Sequence, residues 1–186
     1  MIIALSGTPG TGKTTVCGII SEHSQYRKQY SIIDLNKLVL NEKLYSGKDE
    51  VRDTYIADMD KLEERVKQII SRTPGMDVIM EGHLSHLLPA DAIIVLRAHP
   101  VALRKRLGKR KDYSFAKVKE NADAEALDVI LVESSERQDK VFEINTTDMN
   151  PLAVVKSVVS IIESLKQGKI PEEFLPGKIN WIEQVS

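Results

Sequence analysis

The chain has 186 residues, with 42% apolar and 28% charged side chains, proportions that fit one soluble globular domain and exclude a disordered chain. Twenty-six basic side chains nearly cancel twenty-seven acidic ones, so bulk charge makes no case for nucleic-acid or membrane affinity; the single cysteine, Cys17, excludes an internal disulfide and argues against a Cys/His metal cluster. No apolar run approaches the roughly 20 residues of a membrane span, and no basic region precedes the short apolar start, so a cytoplasmic protein without a membrane partner is expected.

In chain order, "MIIALS" is a short apolar run of the kind that forms a buried parallel strand. "KTTVCGIISEH" follows with helical length and periodicity. Further apolar runs stand at "YSIIDL", "MDVIMEG", "DAIIVLR" and "KVFEINT", and helical patterns span 54–72, 100–110, 115–139 and 150–167. Strands alternating with helices predict an α/β fold, a parallel sheet covered on both faces. After Gly168 the pattern breaks into an extended tail, 169–186, so residues 1–168 form the expected domain.

Gly7-Thr8-Pro9-Gly10-Thr11-Gly12-Lys13-Thr14 matches the P-loop pattern G-x-x-x-x-G-K-[ST]. It sits between a predicted strand and a predicted helix, as that motif requires. Such a loop binds phosphate oxygens with successive backbone N–H groups beside a helix N-terminus, and bulky side chains would block the approach. Gly10 and Gly12 therefore serve the cradle, Lys13 places a cation on the β- and γ-phosphates, Thr14 ligates Mg²⁺, and Thr15 adds a bond to the α-phosphate. A carboxylate at the end of a neighbouring strand completes such a site; "DVIMEGH" offers Glu81, holding Mg²⁺ through water, with His83 two residues on. Asp77 has the same charge at the wrong end of the strand.

A GTPase is excluded: Asn36-Lys37-Leu38-Val39 lacks the Asp of N-K-x-D, and Glu81-Gly82-His83 is no D-x-x-G. A short chain opening on its P-loop points instead to a nucleotide or metabolite kinase, which needs cations above the cradle. "ALRKRLGKRKDY" supplies six between Arg104 and Lys111. Arg106 and Arg110 share a face if the helix continues, and Gly108 is a possible hinge; an RNA-binding patch or a solvated basic helix end is the alternative. For the second substrate, residues 34–60 offer Asp34 at the end of the second strand, Arg52 to grip a monophosphate, and Tyr45 or Tyr55 to stack on a base.

Taken together, "GTPGTGKTT", "DLNKLVLNEKLYSGKDE", "EGHLSHLLP", "VLRAHPVALRKRLGKRKDY" and "KVKENADAEALDVILVES" resemble the small adenylate kinases of the archaeal and eukaryotic-nuclear branch linked to small ribosomal subunit maturation. The resemblance covers residues 1 to about 140. It implies a P-loop fold with a five-stranded parallel sheet, a nucleoside monophosphate (NMP) region near 31–54 and a short lid near 109–119. It also implies phosphoryl transfer between ATP and AMP or another NMP with Mg²⁺, ATPase activity, and transient binding to a small-subunit ribosomal protein in a pre-rRNA particle. By the same resemblance Gly10, Gly12, Lys13, Thr14 and Thr15 hold ATP and Arg110 is the lid arginine. Glu81 and His83 fall where the family has Asp and His, a departure at the first position.

Overall fold

The computed structural model describes the chain except residues 51, 112, 185 and 186, so one position each of the expected NMP region and lid, and two of the tail, lie outside the described residues. Five parallel strands form the main sheet: β1 (Ile2–Ser6), β2 (Tyr30–Asp34), β5 (Asp77–Glu81), β6 (Ala92–Arg97) and β7 (Val141–Asn145). Their order is β2-β5-β1-β6-β7, so β1 is central, with Ile3 opposite Ile79 on one side and Ala92 on the other. Around them run α1 (Lys13–Glu22), α2 (Leu35–Asn41), α3 (Met59–Ser71), α4 (Pro100–Leu107), α5 (Phe115–Ala126), α6 (Val129–Arg137) and α7 (Pro151–Lys166).

The strands read as apolar runs because both faces of the sheet are covered. Ile3 and Leu5 of β1 point to a core shared with Val16, Cys17 and Ile20 of α1 and Val155, Val158 and Ile162 of α7. Ala4 points to the opposite core, with Val39 of α2, Val66 of α3 and Leu131 of α6. Each fully buried aliphatic side chain contributes about 1.5–3 kcal/mol. Helix α7 starts where Asn150 accepts a hydrogen bond from the Ala153 N–H at 2.8 Å and Pro151 presets the first turn.

Several elements differ from the sequence expectation. Residues 45–57 form an antiparallel hairpin, β3 (Tyr45–Asp49) with β4 (Thr54–Ala57), and α3 begins after it instead of at 54. The helical pattern of 115–139 is broken at Asp128, whose φ of 56° ends α5 and turns the chain into α6. The tail is not merely extended. It forms short 3₁₀ turns at Glu172–Phe174 and Ile182–Gln184, seats Phe174 against the α1–α7 core, and donates the Lys178 N–H to Glu143 at 2.8 Å.

The chain leaves β1 for β2 on one side of the sheet and later crosses to β6 on the other. Such a reversal opens a crevice at the carboxyl ends of the strands, where open α/β sheets bind their ligands. Residues 7–12 occupy that crevice between β1 and α1.

Candidate functional site: a phosphate loop facing a hairpin across one cavity

The phosphate loop needs its glycines for two different reasons. At Gly7 (φ 133°) a Cβ would stand 2.3 Å from the Leu96 carbonyl oxygen, so the loop packs directly on the end of β6. At Gly10 (φ 90°) a Cβ would press on Leu103 and Leu107 of α4 and would be strained by the backbone angle as well. Lys13 is buried and bends back over the loop, donating to the Gly7 and Thr8 carbonyls at 2.6 and 3.1 Å. Burial pushes its pKa down to about 8, against the opposing pull of Glu81 and Glu125.

A cavity of about 960 Å³ opens above the loop. Gly10, Gly12, Lys13, Thr14 and Thr15 line one end. His83 and Leu84 flank it, Arg106, Arg110 and Tyr113 come from the α4–α5 side, and Arg52–Tyr55 of the hairpin stand opposite. Arg52 donates to Glu120 of α5 at 3.0 Å and to Asp49 at 3.2 Å, and Lys117 of α5 donates to the Asp53 carbonyl at 3.2 Å. Hairpin and α5 thus meet over the cavity.

The predicted residues fall into distinct places. Thr14 Oγ1 lies 3.2 Å from Glu81 Oε2, which brings the expected hydroxyl and carboxylate together. Burial, then the charge of Asp34, raises the pKa of Glu81. Asp34 sits beside Glu81 in register, but its carboxylate caps α2 through the Lys37 N–H at 3.0 Å and pairs with the Lys37 ammonium at 3.0 Å; it does not line the cavity. A strand-end Asp followed by a helix is a natural N-cap. Tyr45 and Tyr55 stack on each other at 4.4 Å, with Tyr55 on the cavity wall.

Arg106 and Arg110 do not extend one helical face, because α4 ends at Leu107 with Gly108 as its cap. Arg106 donates to the Gly10, Thr146 and Thr147 carbonyls at 3.2, 3.0 and 2.9 Å, which ties the P-loop to the end of β7. Arg110 lies in the following turn at the mouth of the cavity, its guanidinium 5.6 Å from the Tyr113 ring centre. Lys105, Lys109 and Lys111 of the basic run are exposed.

Burial, then the charges of Lys13 and His86, pushes the His83 pKa down to about 4, so the imidazole is neutral at pH 7. The unfolded chain holds the proton up to about pH 6.5. It therefore binds more protons than the fold between about pH 4 and 6.5, and stability is lost as pH falls through that window. A shift of that size corresponds to at most about 3 kcal/mol. Urea titrations at pH 7 and 4.5 should show His83→Gln losing less stability than the parent on acidification; equal losses would contradict this.

Sequence reasoning assigns no role to the group behind the loop. Arg97, 1% exposed at the end of β6, donates to Glu125 at 2.7 Å, to Glu143 at 3.2 Å and to Asp128. Glu125 also accepts from the Thr8 hydroxyl at 2.5 Å. Trp181 of the tail lies over the Arg97 guanidinium at 5.1 Å and edge-on to His99 at 5.7 Å. Arg97 and Glu125 stand inside the "VLR" and "KVKENADAE" stretches of the resemblance, the one signal that could have found them. A second relay joins buried Ser6 and His86 to the exposed Glu133 at 3.0 and 2.9 Å. It has the residue order of a hydrolase relay, but Ser6 has no exposed surface for a substrate to reach. Among the described residues no cluster of three or more His, Cys, Asp or Glu is placed to hold a metal, and no helix is long and apolar enough to cross a membrane.

Strand order, phosphate loop and crevice define a P-loop fold of the kinase type. Solved structures with the same fold include the shikimate kinase of Acinetobacter baumannii (TM-score 0.60, 15% identity, 89% of this chain and 94% of that one) and the thymidylate kinase of Candida albicans (TM-score 0.53, 15% identity, 90% and 93%). The AAA domain family profile matches residues 3–128. A Methanosarcina acetivorans protein named "Putative adenylate kinase" is 45% identical over the whole of both chains, and a Methanocaldococcus jannaschii protein of the same name is 39% identical over 99% of this chain and 94% of its own. The chain belongs to this archaeal adenylate kinase family, whose homologues and fold support a phosphotransferase acting on a nucleoside monophosphate.

Proposed function

We propose that the protein transfers the γ-phosphoryl group of ATP to AMP, with other nucleoside monophosphates as lesser acceptors. The terminal Pγ–O bond of ATP breaks, a phosphate oxygen of the acceptor forms the new one, and two ADP leave. The observation that carries this reading is the single cavity that joins the phosphate loop to the β3–β4 hairpin. Its volume, about 960 Å³, stands at the upper end of the range for ligand pockets, and its lining runs from the phosphate loop to the hairpin. Val39, Leu40, Tyr55 and Leu84 give it apolar lining for a base, beside the lysine and arginines that suit phosphates.

In this reading the loop N–H groups and Lys13 hold the β- and γ-phosphates, and Thr15 adds a contact at the α-phosphate. Arg110 reaches in from the mouth, and neutral His83 offers hydrogen bonds without adding charge. Arg106 keeps the loop in place. The adjacent hydroxyl of Thr14 and carboxylate of Glu81 are hard oxygen donors that suit Mg²⁺, which typically takes one or two protein ligands and fills its shell with water and phosphate oxygens. When bound there, the ion supplies charge neutralisation on those oxygens. The cover between α4 and α5 is a short turn, so water is excluded incompletely and slow ATP hydrolysis accompanies transfer.

ADP formation measured with ATP alone, and with ATP plus each of a panel of NMPs, tests the reading. The expected result is strong dependence on the acceptor above a small ATP-only rate; no acceptor dependence with any NMP overturns it. Arg52 adds a sharper check. Its side chain is 60% exposed and pairs with Glu120, also exposed, so it is free to move to a phosphate. Charge-assisted bonds of this kind are worth about 1.5–3 kcal/mol. Arg52→Ala should raise the KM for AMP by about 10-fold or more, leave the KM for ATP within twofold, and shift the melting temperature little. An unchanged KM for AMP removes Arg52 from the acceptor site.

Exposed Lys105, Lys109 and Lys111 favour a second reading, in which the same ATP cycle drives release from a small ribosomal subunit precursor, by contact with a ribosomal protein or pre-rRNA. Co-sedimentation with such particles in ATP-depleted lysate, lost on adding ATP, is its expected result; absence of co-sedimentation overturns it.

A further inference from the structure

Glu125 is a carboxylate buried to 3% exposure on a face of α5 otherwise made of Val118, Ala122 and Ala126. Burying a charge is costly without partners, and apolar packing would serve that face as well. The simplest account is that Glu125 neutralises Arg97. That account is insufficient, because Arg97 also pairs with Glu143 and Asp128. The two oxygens of Glu125 divide their work. Oε1 accepts from Arg97 Nε at 2.7 Å and the Ala98 N–H at 3.1 Å, whereas Oε2 accepts from the Thr8 hydroxyl at 2.5 Å.

Thr8 is itself buried, and its carbonyl accepts from Lys13 Nζ at 3.1 Å and from Thr11 Oγ1 at 2.9 Å. Glu125 therefore holds the residue that holds the phosphate-binding lysine. We propose that Glu125 is a positioning residue, fixing the phosphate loop in its ATP-binding shape through the Thr8 hydroxyl. It acts from the helix that also meets the hairpin through Glu120 and Lys117, so one rigid element sets the distance between donor and acceptor ends of the cavity. This rests on the kinase reading for its consequence in turnover, but the effect on ATP binding does not.

The test uses the full chain, with the non-hydrolysable analogue AMP-PNP and Mg²⁺ for binding and ATP plus AMP for kinetics. Thr8→Val removes the hydroxyl at constant shape, Thr8→Ser restores it, and Glu125→Asp keeps the charge near Arg97 while withdrawing it from Thr8. We expect Thr8→Val and Glu125→Asp each to weaken AMP-PNP binding and raise the KM for ATP about 10-fold, with the KM for AMP within twofold. Thr8→Ser stays within threefold of the parent, and the double variant is no worse than the weaker single. A merely structural role would instead lower the active fraction and leave both KM values unchanged. AMP-PNP binding within twofold of the parent in Thr8→Val overturns the proposal, as do additive losses in the double variant. Should Thr8→Val fail to fold, AMP-PNP binding within twofold of the parent in Glu125→Asp overturns the proposal, and a loss of about 10-fold supports it. A parent that binds AMP-PNP but phosphorylates no NMP refutes the kinase reading and leaves these binding outcomes to decide the proposal.

Discussion

Lys13→Ala abolishes measurable phosphoryl transfer, with a loss of about 10³-fold or more in kcat/KM for ATP. The side chain is buried, and its ammonium lies within 2.6–3.1 Å of the carbonyls that shape the loop. At an effective dielectric of about 20, one unit charge 4 Å from another interacts by about 4 kcal/mol, close to a factor of 10³. Nearby cations do not substitute, because Arg106 is engaged with three carbonyls and Arg110, although its charge is felt at Lys13, is exposed to solvent. Lys13→Arg should fail too: a planar fork does not replace a compact ammonium that fits between two loop carbonyls. The parent's affinity for ATP also falls as pH rises above about 8, where the ammonium loses its proton. Lys13→Ala, already without that charge, lacks this dependence on its residual binding. Steady-state kinetics and equilibrium binding from pH 6.5 to 9.5 check both statements, and a Lys13→Ala rate within tenfold of the parent defeats the assignment.

Arg97→Leu lowers stability by about 3–5 kcal/mol, the range for breaking a buried ion pair by removing one partner. For a chain of this size each kcal/mol shifts the melting temperature by about 2–4 °C, so a drop of about 10 °C is expected. Arg97 is 1% exposed, and Glu125 and Glu143 beside it are nearly as buried. Burial already raises the pKa of Glu125, and Arg97 is the first group that holds it down; without the guanidinium it rises further. That penalty is present above the raised value and is relieved as pH falls through it. The gap between variant and parent should therefore narrow from pH 7 to pH 5 in thermal melts. A melting temperature within 2 °C of the parent at pH 7 would show that the cluster contributes no net stability.

The five strands of the sheet were legible because strands covered on both faces are short unbroken apolar runs, and Gly7, Gly10 and Gly12 announce the phosphate loop. The hairpin was not legible. "YSGKD" and "TYIA" are largely exposed, carry a glycine, and pair only with each other, so no apolar run marks them. The break at Asp128 was hidden because neither glycine nor proline signals it, while Asp tolerates the left-handed conformation and Arg97 holds its carboxylate. Candidate site residues were legible where their chemistry is local: Thr14 and Glu81 do meet, and His83 lines the cavity. Arg106 lines the cavity as expected, but its bonds to the loop were hidden, because an arginine in a basic run has the same letters whether or not it satisfies carbonyls 40 and 96 residues away. Glu125 and Thr8 are 117 positions apart, and no local pattern could join them.

The tail has a practical consequence. Trp181 is the chain's sole tryptophan, and it rests on the guanidinium whose carboxylate partner grips the phosphate loop. Indole emission is sensitive to charge and solvent at that range. The contact makes a built-in optical gauge the expected result: the fluorescence of one native residue, with no label attached, should change when the phosphate loop shifts, and titration with nucleotide checks it.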